Sequence, residues 1–145
     1  MATLHDAVLT ELDPATLYRI LALRSAVFVV EQDCVYLDPD GRDLEPEARQ
    51  LWAEQDGQLV ATLRLLRDAD SRARIGRVAT ADSARGTGLA ARLMERAIEL
   101  AGGVETVLDA QSYLVDWYAR FGFVRYGDEY LEDGIPHVPM RRAHP

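Results

Sequence analysis

Cysteine is almost missing from these 145 residues: Cys34 stands alone. The chain therefore makes no internal disulfide, and one cysteine with three histidines is too few for a structural zinc site. Bases are also in short supply. Sixteen Lys and Arg face 24 Asp and Glu, a formal net charge of -8, which argues against binding nucleic acid or an anionic membrane through bulk electrostatics. Any anionic ligand must be held locally. No apolar run approaches the roughly 20 residues that a bilayer requires, and the opening MATLHDAVLTELDPATLYR carries acids early, without the basic-then-apolar order of a signal peptide. The expectation is a cytoplasmic protein. Repeats, low-complexity tracts and linkers are absent too, so residues 1–145 read as a single domain, long enough to bury about 68–70% of its unfolded surface.

What is present has clear periodicity. Asp13 is placed to cap a helix with Pro14 at its first position, and Leu17, Ile20, Leu21, Leu23, Val27, Phe28 and Val30 follow at helical spacing. The pattern predicts a first helix bent or broken late. Residues 33–48, crowded with acids and prolines, read as a long loop. LWAEQDGQLVATLRLL is a hairpin signature with Asp56-Gly57 at a type I′ turn, and ARIGRVAT is the next strand. A helix from about Gly88 to Ala101 stops at Gly102-Gly103. VETVLDA is a strand, SYLVDWYARF a short helix ended by Gly122, and two short strands lie in FVRYGDEY and HVPMRR. The order predicts a mixed α/β fold.

The stretch RVATADSARGTGLAARLMERAIELAGG carries the chemistry. Its helix turns Leu89, Ala90, Leu93, Met94, Ala97, Leu100 and Ala101 inward and Arg92, Glu95, Arg96 and Glu99 outward. The unpaired N–H groups of its first turn and about half a positive charge from the dipole stabilise an anion there. Arg85 adds a full charge, and Gly86 and Gly88 leave room for a pyrophosphate against the main chain. GTGLAA also fits the dinucleotide pattern G-x-G-x-x-[GA], with Asp109 about 20 residues on. That reading fails on position: in a dinucleotide fold the glycines follow directly on the first strand, whereas here three strands come before and fewer than 60 residues remain after it.

Arg85-Gly86-Thr87-Gly88-Leu89-Ala90 resembles the acetyl-CoA pyrophosphate loop of the GNAT superfamily N-acetyltransferases, R/Q-x-x-G-x-G/A, and WYARFGF resembles that family's aromatic-Tyr pair shortly before Gly-Phe. LRSAVFVVEQDCVYLDPDGRD, GRV, DAQSYLVDWYARFGF and YLEDGIPHVPM are similar to the ElaA-like branch, and these blocks run from Leu23 to Met140. The branch carries His where this chain has Tyr113 and Gly where it has Asp109, so a role for imidazole at 113 is not carried over.

The resemblance implies a central, largely antiparallel twisted sheet splayed around acetyl-CoA and flanked by helices. It also implies transfer of an acetyl group to a primary amine of a small molecule or peptide by direct attack in a ternary complex, with the protein a monomer or homodimer. Arg85 to Ala90 would hold the pyrophosphate and the main chain of Arg77, Val78 and Ala79 the pantetheine arm. The Val78 N–H would polarise the acyl carbonyl and Tyr118 would protonate the departing thiolate. For the base the residues leave several candidates, namely Glu31, Asp38, Asp40, Asp43, Asp109, Glu132, Asp133 and His137. The acids of residues 31–47 suggest a rim drawing in a cationic amine, with Glu31, Asp38, Asp40, Asp109 and Gln111 as acceptor-side residues. The competing class is a non-catalytic acyl-CoA sensor that keeps the loop but lacks a base. Blander readings stand beside these: DPDGRDLEPE misses a calcium loop because Tyr36 sits at its first position, Cys34 reads as buried or capping, Trp52 and Trp117 as core aromatics, His137 as a polar residue at a strand start, and His5 and His144 as terminal residues.

Overall fold

Asp13 opens the first helix, as its place before Pro14 predicts. In the computed structural model, which describes residues 1–143, its carboxylate accepts from the Ala15 N–H at 3.0 Å and the Thr16 hydroxyl at 2.7 Å. Donors that a first turn leaves free are thereby satisfied, a contribution of about 1 kcal/mol. Helix α1 (Pro14–Arg24) widens into a π-helical stretch, Ser25–Glu31, which is the late break expected. His144 lies outside the described residues.

Eight strands form one sheet: β1 (Thr3–Val8), β2 (Arg49–Gln55), β3 (Gln58–Arg67), β4 (Ala73–Thr80), β5 (Thr106–Gln111), β6 (Val124–Arg125), β7 (Tyr130–Glu132) and β8 (Ile135–Arg142). Their order is β1-β2-β3-β4-β5-β8-β6, with β7 paired to β8. All pairs are antiparallel except β4 with β5. That parallel pair is joined by helix α2 (Leu89–Ala101), because parallel neighbours need a crossover. Helix α3 (Val115–Ala119) follows β5. The β2–β3 turn has Asp56 at φ 54° and Gly57 at φ 77°, the two left-handed residues a type I′ turn demands.

Strand β1 is the element the sequence does not announce. TLHDAV alternates weakly, and only Ala7 is fully buried; pairing with β2 holds it.

Alternation along the strands feeds two layers. Leu51, Ala53, Leu63, Leu65 and Ile75 pack against Leu89, Leu93, Met94 and Ala97 of α2, where each large apolar side chain contributes about 1.5–3 kcal/mol on burial. Trp52, the next residue along, joins Ala7 and Ile20 of α1 in a second cluster. Helices therefore cover both faces.

The parallel pair is short. Only Ala73 opposite Thr106 and Arg74 opposite Val107 are in register, while β5 pairs with β8 along its whole length, from Thr106 to Gln111. From Ile75 onward β4 has no strand neighbour on the β5 side, and a gap opens in the middle of the sheet.

Candidate active site

The glycine loop closes one end of this gap. Gly86 and Gly88 take φ 78° and 81°, and Gly88 caps α2 from the left-handed region. A β-carbon built on either meets no atom within 4 Å. The space above the loop is thus kept clear by missing side chains, while left-handed φ makes glycine the residue that holds this turn without strain. The Thr87 hydroxyl donates to the Ala84 carbonyl and ties the loop to its own base. Free N–H groups at the start of a 13-residue helix, a clear approach and Arg85 together fit a diphosphate. The Arg85 guanidinium lies on Glu31, with Nη2 to Oε1 at 2.6 Å. Both side chains are exposed, and an exposed pair of this kind is worth little, so the guanidinium is readily exchanged onto an anion. Arg85 also holds the Glu31 carboxyl below its ordinary range. Glu31 thus stands beside the glycine loop, paired to Arg85.

A cleft of about 1240 Å³ runs from the loop through the gap, past Gly76 to Thr80 on one wall and Leu108, Asp109 and Gln111 on the other. It is larger than the usual 300–1,000 Å³ of a small-ligand pocket and has room for a long cofactor and a second substrate. The wall from β4 is irregular. Thr62 is opposite Ala79 but Arg64 is opposite Gly76, so Arg77 and Val78 face the single Leu63. This is a β-bulge, and its first residue, Arg77, stands at φ 51°. A non-glycine residue in that region costs on the order of 1–3 kcal/mol and persists where its surroundings over-determine it.

Tyr118 lines the same cleft from α3. It is buried, with Trp117 against its ring edge at 4.9 Å. Burial first, and the Tyr113 hydroxyl second, push its phenol well above the ordinary value, so the group is a proton donor at neutral pH. Tyr113 is itself exposed.

The acidic loop folds differently from the open rim its charges suggest. Asp38 is 2% exposed, bonded by Arg24 Nε at 2.9 Å and approached by Arg77 Nε at 2.8 Å. Asp40 accepts both terminal nitrogens of Arg64, at 2.9 and 2.7 Å. Asp43 takes Arg24, Arg64 and the Gln50 amide. All 16 basic residues of the chain are arginine, whose planar fork suits such bidentate pairing. Three arginines thus cancel three aspartates. Asp38 is buried and Asp40 is paired, so much of the negative charge of the loop is balanced internally. Hydrogen bonds from Arg64 hold the Asp40 carboxyl well below the usual range; burial alone would raise Asp43, but Arg24, Arg64 and Gln50 together outweigh it and the net shift is downward. Carboxyls depressed by folding contribute stability that is full above the unfolded pKa of about 3.9 and lost as pH falls toward the folded value. The melting temperature of the protein should accordingly drop as pH is taken below about 4. Asp40→Asn should flatten part of that drop, which differential scanning calorimetry between pH 7 and pH 3 would read.

At the far end of the cleft the β5–β8 pair presents Gln111 beside His137. Counting up from the last shared register, Gln111 is four residues beyond Val107 and Val78 four beyond Arg74, so they stand at similar heights across the gap. The Gln111 amide bonds Gln32 at 3.2 Å. Asp109 is paired to Arg74 at 2.8 Å, which occupies it as a base. His137 is the group that sequence alone left among many. Its ring is mostly buried, stacks on Tyr130 at 5.8 Å, and has Nδ1 2.8 Å from the Ile135 carbonyl. A bond from Nδ1–H to that oxygen selects the tautomer with a free lone pair on Nε2. Glu132 stands 3.8 Å from that nitrogen. Cys34 is buried with Sγ against the Gln32 and Asp133 carbonyls, a capping role. No helix among the described residues is long and apolar enough to cross a membrane.

A mixed sheet parted between two parallel strands, with a glycine-led helix at the end of the gap, is the architecture of the GNAT N-acyltransferases. An acyltransferase from Pseudomonas aeruginosa, described as an acyl-CoA N-acyltransferase, superposes with a TM-score of 0.93 at 43% identity, covering 99% of this chain and 100% of that one. Escherichia coli ElaA superposes at 0.92 with 37% identity over 98% and 99%. A UPF0039 protein of Mycobacterium tuberculosis is 49% identical over 136 residues, 91% of this chain and 87% of its own. The family model described as "Acetyltransferase (GNAT) domain" matches residues 30–143. The chain belongs to the GNAT acetyltransferase family, on its ElaA-like side.

Proposed function

We propose that the protein transfers an acetyl group from acetyl-CoA to a primary amine in a ternary complex. The observation that carries this reading is the convergence on one cleft of an anion cradle, a strand edge without a partner, a buried protonated tyrosine and a histidine with a free ring nitrogen. The cofactor would supply a thioester-activated acyl group, held by Arg85 to Ala90 and by the main chain of Arg77 to Ala79. Val78 N–H would take the charge that develops on the acyl oxygen, a donation worth about 2.7–4 kcal/mol in comparable sites. Tyr118 O–H would give its proton to the leaving sulfur. His137 Nε2, with Glu132 at 3.8 Å from it, would take a proton from the acceptor nitrogen, directly or through one water, so that the neutral amine attacks the acyl carbon. Gln111 would orient the acceptor.

Release of free thiol from acetyl-CoA, measured against polyamines, amino acids and peptide N-termini, tests the reading. Turnover with one acceptor class is the result expected; tight CoA binding with no release under any acceptor would favour the sensor. Tyr118→Phe should lower kcat by at least about tenfold while leaving the Kd for CoA unchanged; an unaltered kcat would remove Tyr118 from the acid role. His137→Gln should lower kcat/KM by about 10²-fold. An unaltered kcat/KM would move the base elsewhere.

A further inference from the structure

Arg77 adopts a backbone conformation that its residue type does not favour. Among the described residues four other non-glycine residues have positive φ, namely Asp33, Asp56, Ser71 and Asp133, and each lies in a turn or loop between elements, three of them of a type that tolerates the left-handed region. Arg77 alone sits inside a strand, and arginine has no intrinsic preference for that geometry. Something outside β4 must hold it. Its Nε lies 2.8 Å from Asp38 Oδ1 and its Nη2 donates to the Asp38 carbonyl at 3.0 Å. The Tyr36 ring faces the guanidinium at 5.6 Å, and Asp40 is 3.5 Å away. Asp38 is fixed in turn, because Arg24, 1% exposed, bonds its other oxygen. The chain of contacts runs from α1 through a buried carboxylate to one strained backbone unit.

We infer that Arg24 and Asp38 are positioning residues: by clamping the Arg77 guanidinium they hold the β4 bulge in its left-handed state and so fix the Val78 amide that follows it against the acyl carbonyl. A bulge re-aims the main chain where it occurs and is a recurrent device beside active sites. Here it stands on the stretch of β4 that has lost its β5 neighbour, so no ladder on that side would hold the amide if the clamp let go. The clamp also gives the acidic loop a task. Buried Asp38 serves the donor strand from within the loop. The inference rests on the assignment of Val78 as the carbonyl donor.

Two substitutions at one position separate backbone positioning from direct contact. Arg77→Met and Arg77→Gly both remove the guanidinium, but glycine takes φ near 50° without an anchor and methionine does not. Arg77→Met should lower kcat about 10- to 100-fold, the effect expected of a donor displaced by about 1 Å, with the Kd for CoA changed by less than about threefold. Arg77→Gly should regain most of that loss. Asp38→Asn should behave like Arg77→Met, and adding Arg77→Gly to it should restore kcat. The Val78 amide resonance in the ligand-free protein supplies a readout independent of turnover: it should move in Arg77→Met and Asp38→Asn and return when glycine is added. If methionine and glycine at 77 are equally impaired, or the Val78 resonance is unmoved in Arg77→Met, the clamp is refuted whatever Asp38→Asn does to folding. If the resonances respond as described but wild type releases no thiol from acetyl-CoA, the clamp stands and the catalytic reading of Val78 falls.

Discussion

Gly88→Asp should abolish measurable binding of coenzyme A, raising Kd by more than about 10³-fold, with little change in the fold. Three effects act together. Gly88 stands at φ 81°, where a side chain is strained by about 1 kcal/mol or more. The new β-carbon would project into space that is clear of protein atoms within 4 Å and is the space a diphosphate needs. The carboxylate would also offer the helix N-terminus its own anion, so the free N–H groups that favour a phosphate would be satisfied internally while like charges repel. Because that carboxylate caps α2, the melting temperature should hold or fall only slightly. Calorimetric titration with CoA reads the first effect, and a thermal scan reads the second. Gly88→Ala tests the share due to strain and bulk alone and should weaken binding by a smaller factor.

Arg24→Met should be strongly destabilising. The guanidinium is 1% exposed and serves Asp38 and Asp43 at once, with Nε and Nη1 at 2.9 and 2.8 Å. Replacing it leaves two carboxylates facing each other with one fewer cation, and breaking a buried ion pair from one side typically costs about 3–5 kcal/mol. For a domain of this size the melting temperature should fall by roughly 10 °C or more. Simultaneous replacement of Asp43 by Asn should recover part of the loss, since the buried charges again come closer to balance; a double variant no more stable than the single would show that packing of the arginine stem, and not charge, sets the cost.

Much of this was legible in the residues. The capped first helix, the Asp56-Gly57 hairpin, the third strand over 73–80 and the glycine-led helix each carry a local signal: a cap, a turn pair, an alternation, a stripe. Local physics dictates them, and the structure has them where the patterns put them. Strand β1 has no such signal because an edge strand with one fully buried side chain needs little alternation. The ion pairs of the acidic loop were illegible for a different reason. Charge along a sequence says nothing about which cations the fold will bring to it, and Arg24, Arg64 and Arg77 come from a helix and two strands 14 to 39 residues from Asp38 in the chain. The bulge was equally hidden, since GRV offers no glycine at the left-handed position itself; only its tertiary clamp explains it. His137 could be named as one base among eight, but the free lone pair that favours it depends on the Ile135 carbonyl two residues away in a turn-led strand.

The proposed activity requires an acyl-CoA in the gap between β4 and β5 with its diphosphate on the glycine loop. A crystal grown with coenzyme A tests this most directly. Diphosphate oxygens are expected within hydrogen-bond reach of main-chain N–H groups between Arg85 and Ala90, with Arg85 released from Glu31 and the pantetheine arm alongside Gly76 to Ala79 with its sulfur near Tyr118. Coenzyme A bound outside the gap, or a nicotinamide dinucleotide occupying the loop with CoA excluded from it, would contradict it.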